Sequence, residues 1–398
     1  MRDCRQVWRQ SPLSSWEEYM TDGTNTPFDG DRVSVSMGDI EVALAQMWRE
    51  AGEATGPQVV HTRVLNLLIC TEGEANAQAL TEAIAALPAR HPARTILLVA
   101  GDPEEPETLD AWIEMHCQIA LGGRQQLCGE QISIHATGDA VNRLPSAALP
   151  LLLPDLPVVV YWREPLDRER ALLHPLARLA DRIILDSGLA RDSLAVVRRL
   201  PAILDRYPGA SIGDIIWARL TPWRELTAQL FDAQDLRPYL DTITAVDLTY
   251  GQDGEPLHVT QACFYLGWLV SCLNWAVETA IQVEGAGRVS VQLRSQHGRI
   301  AVRLEPGERF DELPDSLVGL VIHADGEPPA RFEIVRADDR VCAISRVRLG
   351  EREILERVVT LPDLSEIASL SQELDQMVRD RTFEQAVRAA ATIAGGSA

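Results

Sequence analysis

The stretch Leu-Pro-Leu-Leu-Leu-Pro-Asp-Leu-Pro-Val-Val-Val-Tyr-Trp-Arg-Glu, residues Leu149 to Glu164, decides the fold. Its segment Val158–Trp162 is a continuous apolar run of β-branched and aromatic residues between a proline and a charge. Such a run is typical of a strand covered on both faces, because a half-exposed strand alternates apolar and polar residues. The prolines and Asp155 in the longer apolar stretch argue against a membrane-spanning helix. We therefore expect a central strand of a sheet.

On both sides of this strand, apolar runs of strand length alternate with segments of helical periodicity. The predicted strands are Val64–Cys70, Thr95–Ala100 and Arg182–Leu185, and a predicted hairpin joins Trp112–Leu121 to Leu127–His135. Strands that alternate with helices indicate an α/β fold. We expect an N-terminal, mostly parallel, Rossmann-like sheet with helices on both faces.

The second half of the chain has a different pattern. A helix predicted over Gln261–Val277 is apolar nearly all round, and short strand-like runs separated by turn signals follow it. This pattern predicts an α+β domain with a largely antiparallel sheet. The predicted organisation is a flexible N-terminal arm (1–37), an α/β sheet domain (38–205), an α+β domain (206–360) and C-terminal helices (361–398).

Composition and charge narrow the class of protein. The chain has 398 residues, 46% of them hydrophobic, and a formal net charge of −21. So acidic a chain is a poor partner for nucleic acid or an anionic membrane, both of which attract basic surfaces. Met1–Asp22 lacks the pattern of a secretory signal, which favours a cytoplasmic protein. The seven cysteines are scattered without paired spacing, and we expect them to be reduced thiols.

A search for motifs of catalysis finds none. The sequence contains no lysine and no Gly-x-Gly-x-x-Gly, His-Glu-x-x-His or Gly-x-Ser-x-Gly pattern, so we expect no catalytic residue, cofactor or metal. The remaining distinctive feature is tryptophan next to arginine. Both residue types are enriched at protein interfaces, but they also pack in cores, and the sequence leaves both possibilities open. The residues concerned are Trp162, Arg163, Trp217, Arg219, Trp223 and Arg224.

Four stretches carry a resemblance to a known family. They are Arg-His-Pro-Ala-Arg-Thr (Arg90–Thr95), Cys-Gly-Glu-Gln-Ile (Cys128–Ile132), Leu-Leu-Leu-Pro-Asp-Leu-Pro-Val running to Trp162 (from Leu151), and Asp-Ile-Ile-Trp-Ala-Arg-Leu-Thr-Pro-Trp-Arg-Glu (Asp214–Glu225). In this order they resemble the glucose-6-phosphate dehydrogenase assembly proteins, the OpcA family. The resemblance extends from about Asp39 to about Arg348.

The resemblance implies a non-catalytic cytoplasmic factor that binds glucose-6-phosphate dehydrogenase, promotes its active oligomer or activates it allosterically, and so controls the oxidative pentose phosphate pathway. We then expect the tryptophans and arginines named above to be exposed and to contact that enzyme. The alternative is an α/β enzyme or sensor that binds a sugar phosphate or nucleotide at the carboxyl ends of its strands, with Trp162, Arg163 and Ser187 lining the pocket.

Overall fold

The computed structural model describes residues 29–55, 59–119, 126–166, 172–252, 257–307, 316–337 and 341–396. Within these residues the strands form two sheets, one of nine strands and one of eight. None of the described helices is both long enough and apolar enough to cross a membrane.

The first sheet is built from the first half of the chain. Its elements in chain order are β1 (Asp29–Val35), α1 (Ile40–Thr55), β2 (Val59–His61), β3 (Leu65–Glu72), α2 (Glu74–Ile84), β4 (Ala93–Ala100), β5 (Thr108–Ile119), β6 (Gln126–Thr137), α3 (Leu144–Ala148), β7 (Val158–Arg163), α4 (Leu173–Ala177), β8 (Arg182–Leu185), α5 (Ser193–Arg206) and β9 (Ser211–Asp214).

The strand order of the first sheet is β1-β5-β6-β4-β3-β7-β8-β9, with β2 paired to β6. Only the β1–β5 and β5–β6 pairs are antiparallel, so the expected mostly parallel sheet is confirmed. The apolar run is the strand β7, which lies between β3 and β8. Val159, Val160 and Tyr161 are fully buried, as predicted for a strand covered on both faces.

The second half supplies the remaining elements. They are α6 (Ile215–Arg219), α7 (Thr221–Leu230), β10 (Ile243–Gly251), α8 (Thr260–Cys272), β11 (Ala276–Gly285), β12 (Arg288–Arg294), β13 (Arg299–Gly307), β14 (Leu317–Ala324), β15 (Ala330–Arg336), β16 (Cys342–Leu349), β17 (Arg352–Thr360), α9 (Glu366–Leu374) and α10 (Arg381–Ile393).

The second sheet has the order β11-β12-β13-β10-β14-β15-β16-β17. Only β10 and β13 pair in parallel, which confirms a largely antiparallel sheet. The apolar helix α8 is buried in the core next to this sheet. It ends at Cys272 and not at the predicted Val277, because Asn274 adopts a positive φ of 52° and the chain then enters β11.

The two C-terminal helices join the two halves of the molecule. Leu370 and Leu374 of α9 pack against the first sheet, in one cluster with Val159 and Ile184. α10 packs on α8 and α5. Its approach to α8 is so close that a Cβ on Gly267 would clash with the carbonyl oxygen of Ala386. Helix α9 therefore covers the first sheet, and α10 continues the core of the second.

The structure corrects two predicted boundaries. Asp29–Val35 lies within the predicted flexible arm but forms β1, which pairs with β5 at the edge of the first sheet. The pairing is long-range and includes a register shift between Gly30 and Val33, so no local pattern marks it. The rest of the arm up to residue 28 lies outside the described residues. The first sheet also continues past the predicted end at Asp205, because β9 pairs with β8.

The prediction of reduced cysteines is wrong for three of the described cysteines, because Cys117, Cys128 and Cys342 are disulfide-bonded. Cys117 on β5 and Cys128 on β6 form a disulfide, with their Cα atoms 4.0 Å apart. They are direct partners in the antiparallel register of these strands. Their separation in sequence gives no paired-cysteine signal, and only the strand pairing places them opposite each other.

We predict that Leu370→Ala lowers the free energy of unfolding by about 2–5 kcal/mol, the usual cost of emptying a buried leucine site. Leu370 is fully buried between α9 and the first sheet, where a void cannot easily collapse. Unfolding in urea, monitored by tryptophan fluorescence, measures this change in stability. The control is Val378→Ala, at an exposed position, which should change stability by no more than about 0.5 kcal/mol. Equal transition midpoints for the two variants would contradict a structural role for α9.

Candidate functional site

The segment that carries Trp217, Arg219, Trp223 and Arg224 begins at the carboxyl edge of the parallel sheet. Asp214 ends β9, and its Oδ1 accepts hydrogen bonds from the backbone N–H of Ile216 at 2.8 Å and from Ser187 Oγ at 2.9 Å. The first of these bonds satisfies an N–H in the first turn of α6, which has no partner inside the helix. The sheet therefore fixes where α6 starts and which way it runs.

Trp217 holds the start of α10. Its Nε1 donates a hydrogen bond to Asp380 Oδ2 at 2.9 Å, and its ring lies 5.6 Å from the ring of Phe383. Asp380 also caps α10, because its Oδ1 accepts the backbone N–H of Phe383. On the other side, the guanidinium of Arg224 lies 3.6 Å from the centroid of the Trp217 ring, a cation–π contact.

Arg219 and Thr221 hold the approach to α9. The Nε of Arg219 donates to the carbonyl oxygen of Leu364 at 3.0 Å, just before α9 begins. Thr221 Oγ1 accepts a hydrogen bond from Gln372 Nε2 at 2.8 Å, within α9. Thr221 is the first residue of α7, which meets α6 at Leu220.

The end of β7 makes a further contact with α9. Arg163 Nε donates to Glu366 Oε1 at 2.6 Å, and the hydroxyl of Tyr161 donates to the same oxygen at 2.8 Å. Glu366 is the first residue of α9, where its negative charge also favours the helix dipole. Burial, together with the neighbouring carboxylate of Asp186, raises the pKa of Tyr161 well above its ordinary value, so the tyrosine is a hydrogen-bond donor here.

The expected exposure of these residues is wrong for four of the six. The exposed fractions of Trp162, Trp217, Arg219 and Trp223 are 2%, 3%, 4% and 2%. Arg163 and Arg224 are half-buried and already have partners within the chain. The reason is that Trp162 and Trp223 pack in the hydrophobic core, while Trp217 and Arg219 are covered by the C-terminal helices that they hydrogen-bond. Their effect on partner binding stays a prediction.

Buried carboxylates lie where the C-terminal helices contact the first sheet, a region called the junction below. Burial raises the pKa of Asp214 well above its ordinary value, and the charge of Asp186 adds to the rise. Burial likewise raises the pKa of Glu373 on α9, although its salt bridge with Arg182 on β8 opposes that effect. The junction thus contains acids whose charged forms are destabilised inside the fold.

Sequence reasoning missed the partners supplied by the C-terminal helices, namely Glu366, Glu373 and Asp380. Only Asp380 had a local signal, as an acidic residue just before an amphipathic helix. Its hydrogen-bond partner Trp217 is 163 residues away, and no spacing rule connects them. Within the described parts of the chain, no group of three or more histidines, cysteines, aspartates and glutamates is placed to hold a metal ion.

The pKa of Asp214 predicts a pH dependence of stability. Because the folded-state pKa lies above the unfolded value of about 4, the folded state binds the proton more tightly, and stability falls as pH rises through this window. Asp214→Asn retains the acceptor oxygen and cannot ionise. We predict that the variant gains stability relative to the native chain as pH rises above about 4. Urea unfolding at several pH values measures this difference.

The control for this experiment is Asp205→Asn. Asp205 is exposed, and its hydrogen bond with Arg388 lowers its pKa, so the charged form is the one favoured by folding. This variant should therefore lose stability relative to the native chain as pH rises, the opposite sign to Asp214→Asn. A difference for Asp214→Asn that does not change with pH would contradict the shifted pKa.

Comparison with known protein families gives two matches that together cover most of the chain. The family models described as the N-terminal domain and the C-terminal domain of the glucose-6-phosphate dehydrogenase subunit match residues 84–202 and residues 210–387, respectively.

Among solved structures, an oxidoreductase from Sinorhizobium meliloti is similar over 84% of this chain and 96% of its own length, at 12% identity and a TM-score of 0.48.

Curated relatives from cyanobacteria match as well. A protein named "Putative OxPP cycle protein OpcA" from Synechocystis sp. is 32% identical over 188 residues, which is 47% of this chain and 38% of that protein. One of the same name from Nostoc punctiforme is 25% identical over 311 residues, 76% of this chain and 65% of the relative. The chain thus spans less than two thirds of the length of these relatives. With both family models matched in order, the chain belongs to the OpcA family of glucose-6-phosphate dehydrogenase assembly proteins.

Proposed function

We propose that the chain is a non-catalytic cytoplasmic factor that binds glucose-6-phosphate dehydrogenase, promotes its active oligomer and activates it allosterically, and so controls the oxidative pentose phosphate pathway. The observation that carries the proposal is the ordered match to both family models, over residues 84–202 and 210–387. Two features of the structure support it further.

The first supporting feature is the charge at the position where a doubly wound sheet binds a dinucleotide. The order β6-β4-β3-β7-β8-β9 is that of a doubly wound nucleotide-binding sheet, in which the pyrophosphate lies at the N-terminus of the helix after the first strand. Here that helix is α2, and Glu72 and Glu74 flank the turn at Gly73. Two carboxylates at this position disfavour a pyrophosphate, which needs backbone N–H groups and positive charge.

The second feature is that the side chains of the alternative ligand pocket already have partners. Arg163 pairs with Glu366, and the hydroxyl of Ser187 donates to Asp214. Trp162 is buried in the core. A sugar phosphate at this edge would have to displace a carboxylate from the one arginine predicted to bind it. These contacts favour a regulatory partner over a phosphate-binding enzyme.

An activator must bind one state of the dehydrogenase better than the others, because equal affinity for all states shifts no equilibrium. A tenfold preference corresponds to about 1.4 kcal/mol. For an oligomeric enzyme, the simplest preferred state is the active oligomer. The factor would then increase both the mass of the enzyme complex and the fraction of active enzyme.

We predict that mixing the pure chain with the dehydrogenase of the same organism produces a complex and raises the enzyme's activity at low substrate concentration. Analytical ultracentrifugation measures the mass, and NADPH formation at varied glucose 6-phosphate measures the kinetics. The chain alone should form no NADPH. Absence of both a complex and a kinetic change would refute the proposal. Thermal stabilisation of the chain alone by a phosphorylated sugar or a dinucleotide at millimolar concentration would favour the alternative function.

A further inference from the structure

The amino-terminal edge of the parallel sheet contains a row of buried polar side chains. Asn66 on β3 pairs in register with Arg94 on β4, and Arg94 pairs with Glu130 on β6. All three side chains are buried. Arg94 and Glu130 form a salt bridge, and Glu130 also accepts a hydrogen bond from Trp48 Nε1 at 2.7 Å. Burying such a row is costly unless each group has partners.

The partners of this row include the backbone of one loop, residues 149–157. Asn66 Nδ2 donates to the carbonyl oxygens of Leu153 at 3.0 Å and Leu156 at 3.3 Å, and Asn66 Oδ1 accepts the N–H of Leu153 at 2.8 Å. Arg94 Nη1 donates to the carbonyl oxygen of Leu151 at 2.8 Å. Four hydrogen bonds from buried side chains therefore hold the path of this loop.

The loop is also rigid by its own sequence. Its three prolines, Pro150, Pro154 and Pro157, fix φ at their positions. At its tip Asp155 adopts a φ of 63°, which is uncommon for a residue other than glycine and is tolerated best by aspartate and asparagine. The conformation is thus determined before any partner binds.

Several apolar side chains of this rigid loop are exposed or half-buried. Leu149 is 45% exposed, and Leu152, Leu153 and Leu156 are only half-buried. Val64, two residues before Asn66 and beside the same edge, is 48% exposed. Single exposed apolar residues need no explanation, but two exposed and three half-buried apolar residues at one pre-organised edge form the kind of patch that marks an interaction surface. A surface already ordered loses little conformational entropy on binding, which favours affinity.

The charges around the loop indicate the kind of partner. Asp155 is exposed at the tip. The carboxylate of Asp181 accepts the N–H of Val158 at the end of the loop, and the exposed Glu41 pairs with Arg94 below it. A second copy of this chain, with a net charge of −21 and the same acidic rim, would be repelled. The loop therefore fits an apolar surface bordered by basic residues.

We propose that the loop 149–157 together with Val64 is the surface that binds glucose-6-phosphate dehydrogenase, through an apolar segment of the enzyme flanked by lysine or arginine. The proposal rests on the proposed function and assigns the interface. It moves the contact away from the buried tryptophans, to the opposite edge of the same sheet.

The test uses Leu149→Glu and Val64→Glu, which change exposed positions and should leave thermal unfolding close to that of the native chain. Each should weaken binding to the dehydrogenase at least tenfold, measured by biolayer interferometry. The matched control is Val283→Glu, a valine 58% exposed on β11 of the second sheet, which should bind like the native chain. Asp155→Asn retains the backbone conformation and removes the rim charge, so it should slow association and reduce its salt dependence.

Three outcomes distinguish a failure of the interface assignment from a failure of the proposed function. If the native chain binds the enzyme and both loop variants bind equally well, the interface assignment is wrong and the proposed function stands. If the native chain does not bind at all, the proposed function is wrong and the assignment is wrong with it. If the loop variants instead change the sedimentation mass of the chain alone, the surface belongs to a second copy, which also overturns the assignment.

Discussion

The structure depends on one constraint, the need of a parallel sheet to be covered on both faces. On one face of the first sheet, α2 covers β3 and β4, but the cover over β7 and β8 comes from α9, near the end of the chain. The salt bridge between Arg182 and Glu373 and the contact of Arg163 with Glu366 fix this helix in place. This face of the first sheet is therefore fully covered only after the chain has formed the second sheet and α9 has packed back onto the first.

The packing of the C-terminal helices back onto the first sheet explains why the segment from Trp217 to Arg224 is rich in tryptophan and arginine. The segment lies where the chain leaves the first sheet, and the returning helices cross it at the same place. Trp217 binds the N-terminus of α10, while Arg219 binds the backbone before α9. Large planar side chains with a polar end suit such a junction, because they bury much area and still satisfy a hydrogen bond. These contacts thus hold the C-terminal helices against the end of the first sheet.

The sequence predicts the parts of this fold that have local signals. β3, β4, β7 and β8 are apolar runs of strand length, and the alternation of strands with helices is enough to derive a mostly parallel sheet. The remaining features depend on distant contacts. β1 is a strand only because β5 is beside it, Cys117 reaches Cys128 only through the register, and the burial of Trp217 depends on a helix 163 residues later.

The two edges of the first sheet differ in the buried polar contacts that they contain. At the carboxyl edge, where such sheets bind ligands, the chain places its own carboxylates and pairs Arg163 with one of them. At the amino edge, Asn66 and Arg94 instead fix a loop on which Leu149 is exposed and three further leucines are half-buried. Under the proposed function, the carboxyl edge needs no open ligand site, and the amino edge supplies a surface of fixed shape for a partner.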